Sequence, residues 1–182
     1  MTPGSVEDGW RGGEDVPPAP VLILGLGNLL LRDDGAGQSL LAELGGVASR
    51  WGNAVELLDG GTLGLALLAF LERRSAVVIL DAVTRGAPPG TVHVLQGEAV
   101  LSAGGADKSS AHEIGAAQLL RAAVLLGELP QHLAVVGIEP EAVDTGIGLS
   151  QAVSAALQPA AAAAAELIDE FVRMAGSKTA SV

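Results

Sequence analysis

Two adjacent carboxylates, Asp33 and Asp34, follow the apolar run that opens at Val21 and breaks at Gly25, Gly27 and Asn28. Two further acids end later apolar runs: Asp59 after residues 55–58 and Asp81 after residues 76–80. An imidazole, His112, stands in the first turn of an expected helix. Side chains of these types have two chemical uses when they converge. Two carboxylates and one neutral imidazole make a three-ligand oxygen and nitrogen site, suited to zinc or nickel, whose open position admits water or a substrate group. Without a metal, the same carboxylates can divide acid and base roles between them.

Each residue also has a plainer use. Asp33 or Asp34 can cap the helix that follows, but one cap position holds only one of them. Asp59, in Asp59-Gly60-Gly61-Thr62, fits a turn whose carboxylate bonds its own backbone. Asp81 follows a continuous apolar strand and is expected to be partly desolvated, which calls for a cation, donors or a raised pKa. The positive end of a helix dipole disfavours the charged form of His112, and the neutral imidazole is the form that binds metal. His93, in mid-strand, and His132, after Pro130 in a loop, read as structural residues.

Strands and helices must bring these positions together. The run from Val21 is short and continuously apolar, as a buried parallel strand requires. Residues 35–44 place Leu40, Leu41 and Leu44 on one helical face, stopped by Gly45 and Gly46. A strand over 55–58, a helix over 64–74, a strand over 76–80, a turn over 86–90 and a half-exposed strand over 91–95 follow. Residues 96–107 read as a loop, and Ser110 with Glu113 has the spacing of a capping box for a helix ending near Leu126. Residues 133–138 form a last strand, then Glu139-Pro140 opens a flexible segment. Ser150 caps a final helical stretch, which Pro159 interrupts before an alanine-rich run ends near Met174.

This alternation predicts one three-layer α/β/α domain with a mainly parallel, about five-stranded twisted sheet. Its expected limits are residues 20–175, between flexible tails at 1–19 and 176–182. In such sheets, sites form beyond the carboxyl ends of the strands, where all four aspartates stand.

Composition narrows the class of function. The chain has 182 residues, 49% of them hydrophobic, enough for one domain with a sizeable core. Aromatics are only 2%, so Ala, Leu, Val and Ile must build that core. A formal net charge of −11, with Lys108 and Lys178 the only lysines, argues against nucleic acid and against an anionic membrane surface. No stretch reaches the roughly 18 apolar residues of a membrane-spanning helix. The absence of cysteine excludes disulfides, thiolate ligands and a Cys nucleophile. The acidic, Gly- and Pro-rich N-terminus lacks the basic start of a signal peptide, so a cytoplasmic protein is expected. Without heptads or a strongly apolar exposed stripe, it is expected to act as a monomer.

Five blocks together resemble the hydrogenase maturation endopeptidases. They are GLGNLLLRDDGAG (25–37), LLDGGTLG (57–64), LDAV (80–83), SSAHEIG (109–115) and GIEPE (137–141), in the family's order. The resemblance implies a peptidase that removes a C-terminal extension from the nickel-loaded precursor of a nickel–iron hydrogenase large subunit. It places the family's nickel-site carboxylates on Asp34 and Asp81 and its histidine on His112. It implies that Asp59 matters for processing without binding metal. Nickel is expected to arrive with the substrate, with zinc or cadmium able to substitute in vitro. The tail ahead of residue 20 lies outside the family pattern.

Three other readings compete. A dinucleotide-binding turn fails because Leu30 stands where the third glycine of GxGxxG belongs. A phosphoacceptor receiver module also uses acids after its first and third strands, but it needs a lysine after the last strand, where this chain has Glu139-Pro140. A peptidyl-tRNA hydrolase shares the GLGN opening, yet its following residues are missing and the charge is wrong for tRNA.

Overall fold

Strand β1 (Val21–Leu26) is buried along its whole length, which explains why its sequence lacks polar alternation. Val21 and Ile23 face one apolar core, and Leu22 and Leu24 face the other, following the two-residue period of a strand. The structure, a computed structural model, describes residues 17–103 and 115–179.

Four more strands join β1: β2 (Val55–Gly61), β3 (Ala76–Ala82), β4 (Val92–Gln96) and β5 (His132–Ile138). Their order is β2-β1-β3-β5-β4. Neighbours pair in parallel except β4, which runs antiparallel to β5 at the edge. Helices α1 (Ala36–Gly45) and α5 (Gln151–Thr179) cover one face through Leu40, Leu44, Ala160, Ala164, Ile168 and Phe171. The other face is covered by α2 (Leu68–Leu71), α3 (Glu98–Ala103) and α4 (Gly115–Leu126), together with Leu67. The expected three-layer α/β/α architecture with a mainly parallel five-stranded sheet is the observed one.

Glycine at position 37 lets α1 press on the sheet. A Cβ there would lie 2.2 Å from the Leu80 carbonyl oxygen and 2.4 Å from that of Leu26. Helix α1 therefore starts in direct backbone contact with the ends of β1 and β3, the two strands whose tips carry the acids of interest.

The structure departs from the sequence reading in several places. The expected loop over 96–107 contains α3, whose Val100 is buried in the core. His132 opens β5 rather than lying in a loop, and its ring stacks on Phe171 at 5.6 Å. Strand β2 continues past Leu58 through Gly61, with a bulge opposite Gly25 and Leu26. Pro159 does not break α5, which runs unbroken to Thr179, beyond Met174. A proline inside a helix costs about 3 kcal/mol. Here Pro159 is exposed while Val153, Ala156, Ala160, Ala164 and Ile168 bury a continuous stripe on either side, and tertiary packing prevails. Ser150 caps α5 as expected, its Oγ accepting the Val153 N–H at 3.3 Å. The Ser110–Glu113 box and the tail before residue 17 lie outside the described residues.

Candidate active site at the carboxyl edge of the sheet

The chain leaves β1 for β2 on one side, while β3 lies on the other. That divergence opens a crevice at the carboxyl ends of β1 and β3, the position where sheets of this kind hold their ligands. Asp34 enters it from the turn after β1, and Asp81 from the end of β3. Gly27 shapes the turn: it has φ +126°, and a Cβ there would fall 1.9 Å from the Asp34 carbonyl oxygen. Only glycine permits this approach.

The two acids sense one another. The Asp81 carboxyl is raised to about 7, from an ordinary 3.8. Desolvation is the largest cause, opposed by the hydrogen bond from the Ala82 N–H and increased by the charge of Asp34. The Ala82 bond measures 2.8 Å. Asp81 keeps some contact with solvent, but the protein packed around its carboxyl is enough to favour the neutral form. Such a group binds a proton near neutrality or gives it up to a cation.

Asp33 has a different task from its neighbour. It is fully buried, and its carboxylate accepts the N–H of Glu141 at 2.9 Å, Ala142 at 3.0 Å and Ser150 at 2.6 Å. Burial alone would raise its pKa, but these three donors outweigh it and hold the carboxyl below its ordinary value. Neither Asp33 nor Asp34 caps α1, whose first position is held by Gly35 without a side-chain bond. The segment after β5 is correspondingly fastened rather than free. Besides Asp33, it is tied by the Gly146 N–H to Leu30 O at 2.9 Å and by the Arg32 N–H to Gly146 O at 3.0 Å.

Glu139, which the sequence reading left without a role, anchors the opposite loop. Its buried carboxylate accepts the N–H of Arg85 at 2.9 Å and of Gly86 at 3.0 Å, and lies 2.9 Å from His93 Nε2. Burial pushes its pKa up, but the donors at Arg85, His93 and Gly86 bring it below the ordinary value. His93 is thus structural, as expected. The signal available in sequence was a glutamate placed directly after an apolar strand, the same pattern that singled out Asp81.

Asp59 sits exposed at the end of β2. Its Oδ1 accepts the Gly61 N–H at 3.0 Å, the turn bond anticipated for it, and also the Gln38 Nε2 at 3.0 Å. Asp59 does not join Asp34 and Asp81 directly; it reaches their crevice through Gln38. His112 lies outside the described residues. Among the described residues no three His, Cys, Asp or Glu side chains gather closely enough to hold a metal ion. Asp34 and Asp81 supply two oxygen donors of the three expected, and their mutual repulsion and the raised Asp81 pKa suit a cation between them.

The fold and this edge define an α/β protein with an acidic crevice at the switch point of its sheet. The profile of the hydrogenase maturation protease (HycI) family matches residues 43–167. The Hydrogenase 2 maturation protease of Escherichia coli K12 is 38% identical over 143 residues, covering 77% of this chain and 85% of that protein. The hydrogenase expression/formation protein HupD of Thiocapsa roseopersicina is 36% identical, covering 83% and 68%. Among solved structures, the hydrogenase maturating endopeptidase HybD from E. coli superposes with a TM-score of 0.73 at 35% identity, covering 82% of this chain and 92% of that one. The HybD protease of Thermococcus kodakarensis gives 0.67 at 32%, covering 81% and 98%. The chain belongs to the hydrogenase maturation proteases, and it is a peptidase rather than a phosphoacceptor module.

Proposed function

We propose that this peptidase removes a C-terminal extension from the precursor of a nickel–iron hydrogenase large subunit, and that Asp34, Asp81 and His112 engage the nickel already held by that substrate. The observation that carries the reading is the pairing of Asp34 with Asp81 at the switch point, where Asp81 is raised to about 7. Two carboxylates so placed are under strain from desolvation and repulsion that a divalent cation relieves. Nickel supplied by the substrate brings Lewis acidity toward a carbonyl or a water. The chain's own residues do the rest. Asp34 and Asp81 orient the metal-bearing segment against the crevice, and Asp81 can take up or release a proton near neutral pH. Asp33 and Glu139 hold the flanking loops in register.

No helix among the described residues is long and apolar enough to cross a membrane. An acidic chain without cysteine suits a cytoplasmic protein that meets its partner before that partner is exported or assembled, and it acts as a monomer on that partner.

The test is incubation with nickel-loaded precursor beside a metal-free control, read by intact mass. Loss of a C-terminal peptide from the nickel-loaded form alone is the expected result. Cleavage of both forms would keep the protease and remove the role given to nickel. Retained processing in Asp34→Asn, Asp81→Asn and His112→Ala would remove the site.

A further inference from the structure

Gln38 holds a polar atom that the fold leaves unused. It stands in the first turn of α1, half-buried, four residues after Asp34. Positions four apart on a helical path are neighbours on one face, so Gln38 lies beside Asp34 rather than behind it. Its Nε2 donates to Asp59 Oδ1 at 3.0 Å. A carboxylate only accepts, so this contact fixes which end of the amide faces Asp59. The other end, Oε1, is buried and has no hydrogen-bond partner among the described residues. A buried acceptor without a donor destabilises a fold, and an apolar side chain of the same length would remove that penalty.

We infer that Gln38 is a substrate-positioning residue, and that its Oε1 accepts a backbone N–H of the precursor segment entering beside Asp34. This rests on the peptidase reading above and names how the chain being cut is held. A peptide in extended form presents N–H groups in want of acceptors. Oε1 has almost no contact with solvent, so it becomes paired as the crevice opens to admit the segment, and the soft terminal torsion of the amide allows it to follow. Asp59 then acts through Gln38. Its carboxylate keeps the amide from flipping, which would present Nε2 donors where an acceptor is needed. That gives a physical role to an aspartate that is near the site without touching it.

The test compares wild-type protein with Gln38→Met, of similar length and without the amide. Three quantities are measured: thermal midpoint, affinity for Ni²⁺ alone, and processing of the nickel-loaded precursor. Expected are a raised midpoint, unchanged Ni²⁺ affinity and a fall of about tenfold in kcat/KM, the scale of one lost hydrogen bond. A more stable protein that processes worse is a signature a structural role does not produce. Unchanged processing would overturn the inference. So would a fall in processing that merely follows a lowered midpoint or weakened Ni²⁺ binding. Asp59→Asn provides the second arm, because an asparagine accepts either end of the Gln38 amide. The double variant should lose no more than Gln38→Met does, whereas additive losses would show that Asp59 does not work through Gln38. If wild-type protein fails to cleave the loaded precursor, the peptidase assignment to this substrate falls, and the inference with it.

Discussion

The buried carboxylate of Asp33 accepts the backbone N–H of Ser150 at 2.6 Å, so the turn after the first strand is bonded to the cap of the last helix. Two further bonds, to Glu141 and Ala142, complete the tie. One side chain thereby joins the loop carrying Asp34 to the segment that closes the domain. The adjacent Asp34 is turned toward Asp81 instead. Two neighbouring acids are thus divided between holding the site and forming it.

Asp33→Ala should accordingly be a stability variant. It leaves three backbone N–H groups without their acceptor at a fully buried position, and the expected loss is about 3 kcal/mol. Urea unfolding measures it. Asp34→Ala, at a partly exposed position, should unfold close to the wild-type midpoint while losing precursor processing. Equal destabilisation by the two would mean that the division of labour is wrong.

Acid should weaken the fold through the same contacts. Asp33 and Glu139 both have folded-state values below the ordinary 3.8 and 4.5. Groups with depressed folded values contribute stability above the unfolded value and lose it as pH falls through the folded one. Stability from these two should be constant above about pH 5 and decline below about pH 4. Glu139→Gln keeps the shape of the side chain and removes its charge. Its unfolding curve should depend less steeply on pH below 4 than that of wild type, and an identical slope would remove Glu139 from the account.

How much of this was legible in the sequence follows from how local the cause was. The buried strands were readable because few folds other than a parallel sheet use short, continuous apolar runs that each end in an acid, and Asp81 followed from that pattern alone. Ser150 was readable because a cap is a short-range device. Asp33 was not, since its three donors lie more than a hundred residues away, and in sequence it looks the same as Asp34. Pro159 misled because its penalty is local while the buried stripe that overrides it belongs to the tertiary structure. Gln38 gave no signal at all, because a glutamine in a helix is ordinary until its carbonyl is found buried and its amide found on Asp59. The joining of Asp34 to Asp81 rested on the family resemblance, and the crevice between β1 and β3 supplies the physical reason for it.

Glycine at position 37 offers a test of how the crevice is built. Its Cβ in Gly37→Ala would meet two backbone carbonyl oxygens, those of Leu80 and Leu26, at 2.2 and 2.4 Å. Backbone cannot step aside as a side chain does, so α1 must move off the sheet. The expected loss is about 3 kcal/mol, accompanied by reduced processing because Asp34 and Gln38 move with the helix. Gly45→Ala meets nothing within 4 Å and serves as the control within the same helix. Similar stability for the two variants would show that close approach at Gly37 is unimportant.

Asp81 should carry the opposite pH dependence from Asp33 and Glu139. Its folded value is about 7, against an ordinary 3.8. Between these limits the folded protein holds a proton that the unfolded chain has released. Stability from this group therefore falls as pH rises through that interval, and stays level above it. Asp81→Asn cannot ionise, yet its side-chain oxygen can still accept the Ala82 N–H. In metal-free protein the variant should match wild type near pH 4 and become the more stable of the two by pH 8, while processing of the nickel-loaded precursor is lost. Asp34→Asn removes one of the causes raising Asp81, and should shrink the advantage gained by adding Asp81→Asn. Paired unfolding curves across that range decide the matter. An advantage that does not grow with pH would mean that Asp81 is hydrated and already ionised, and that the strain assigned to the acidic pair is absent.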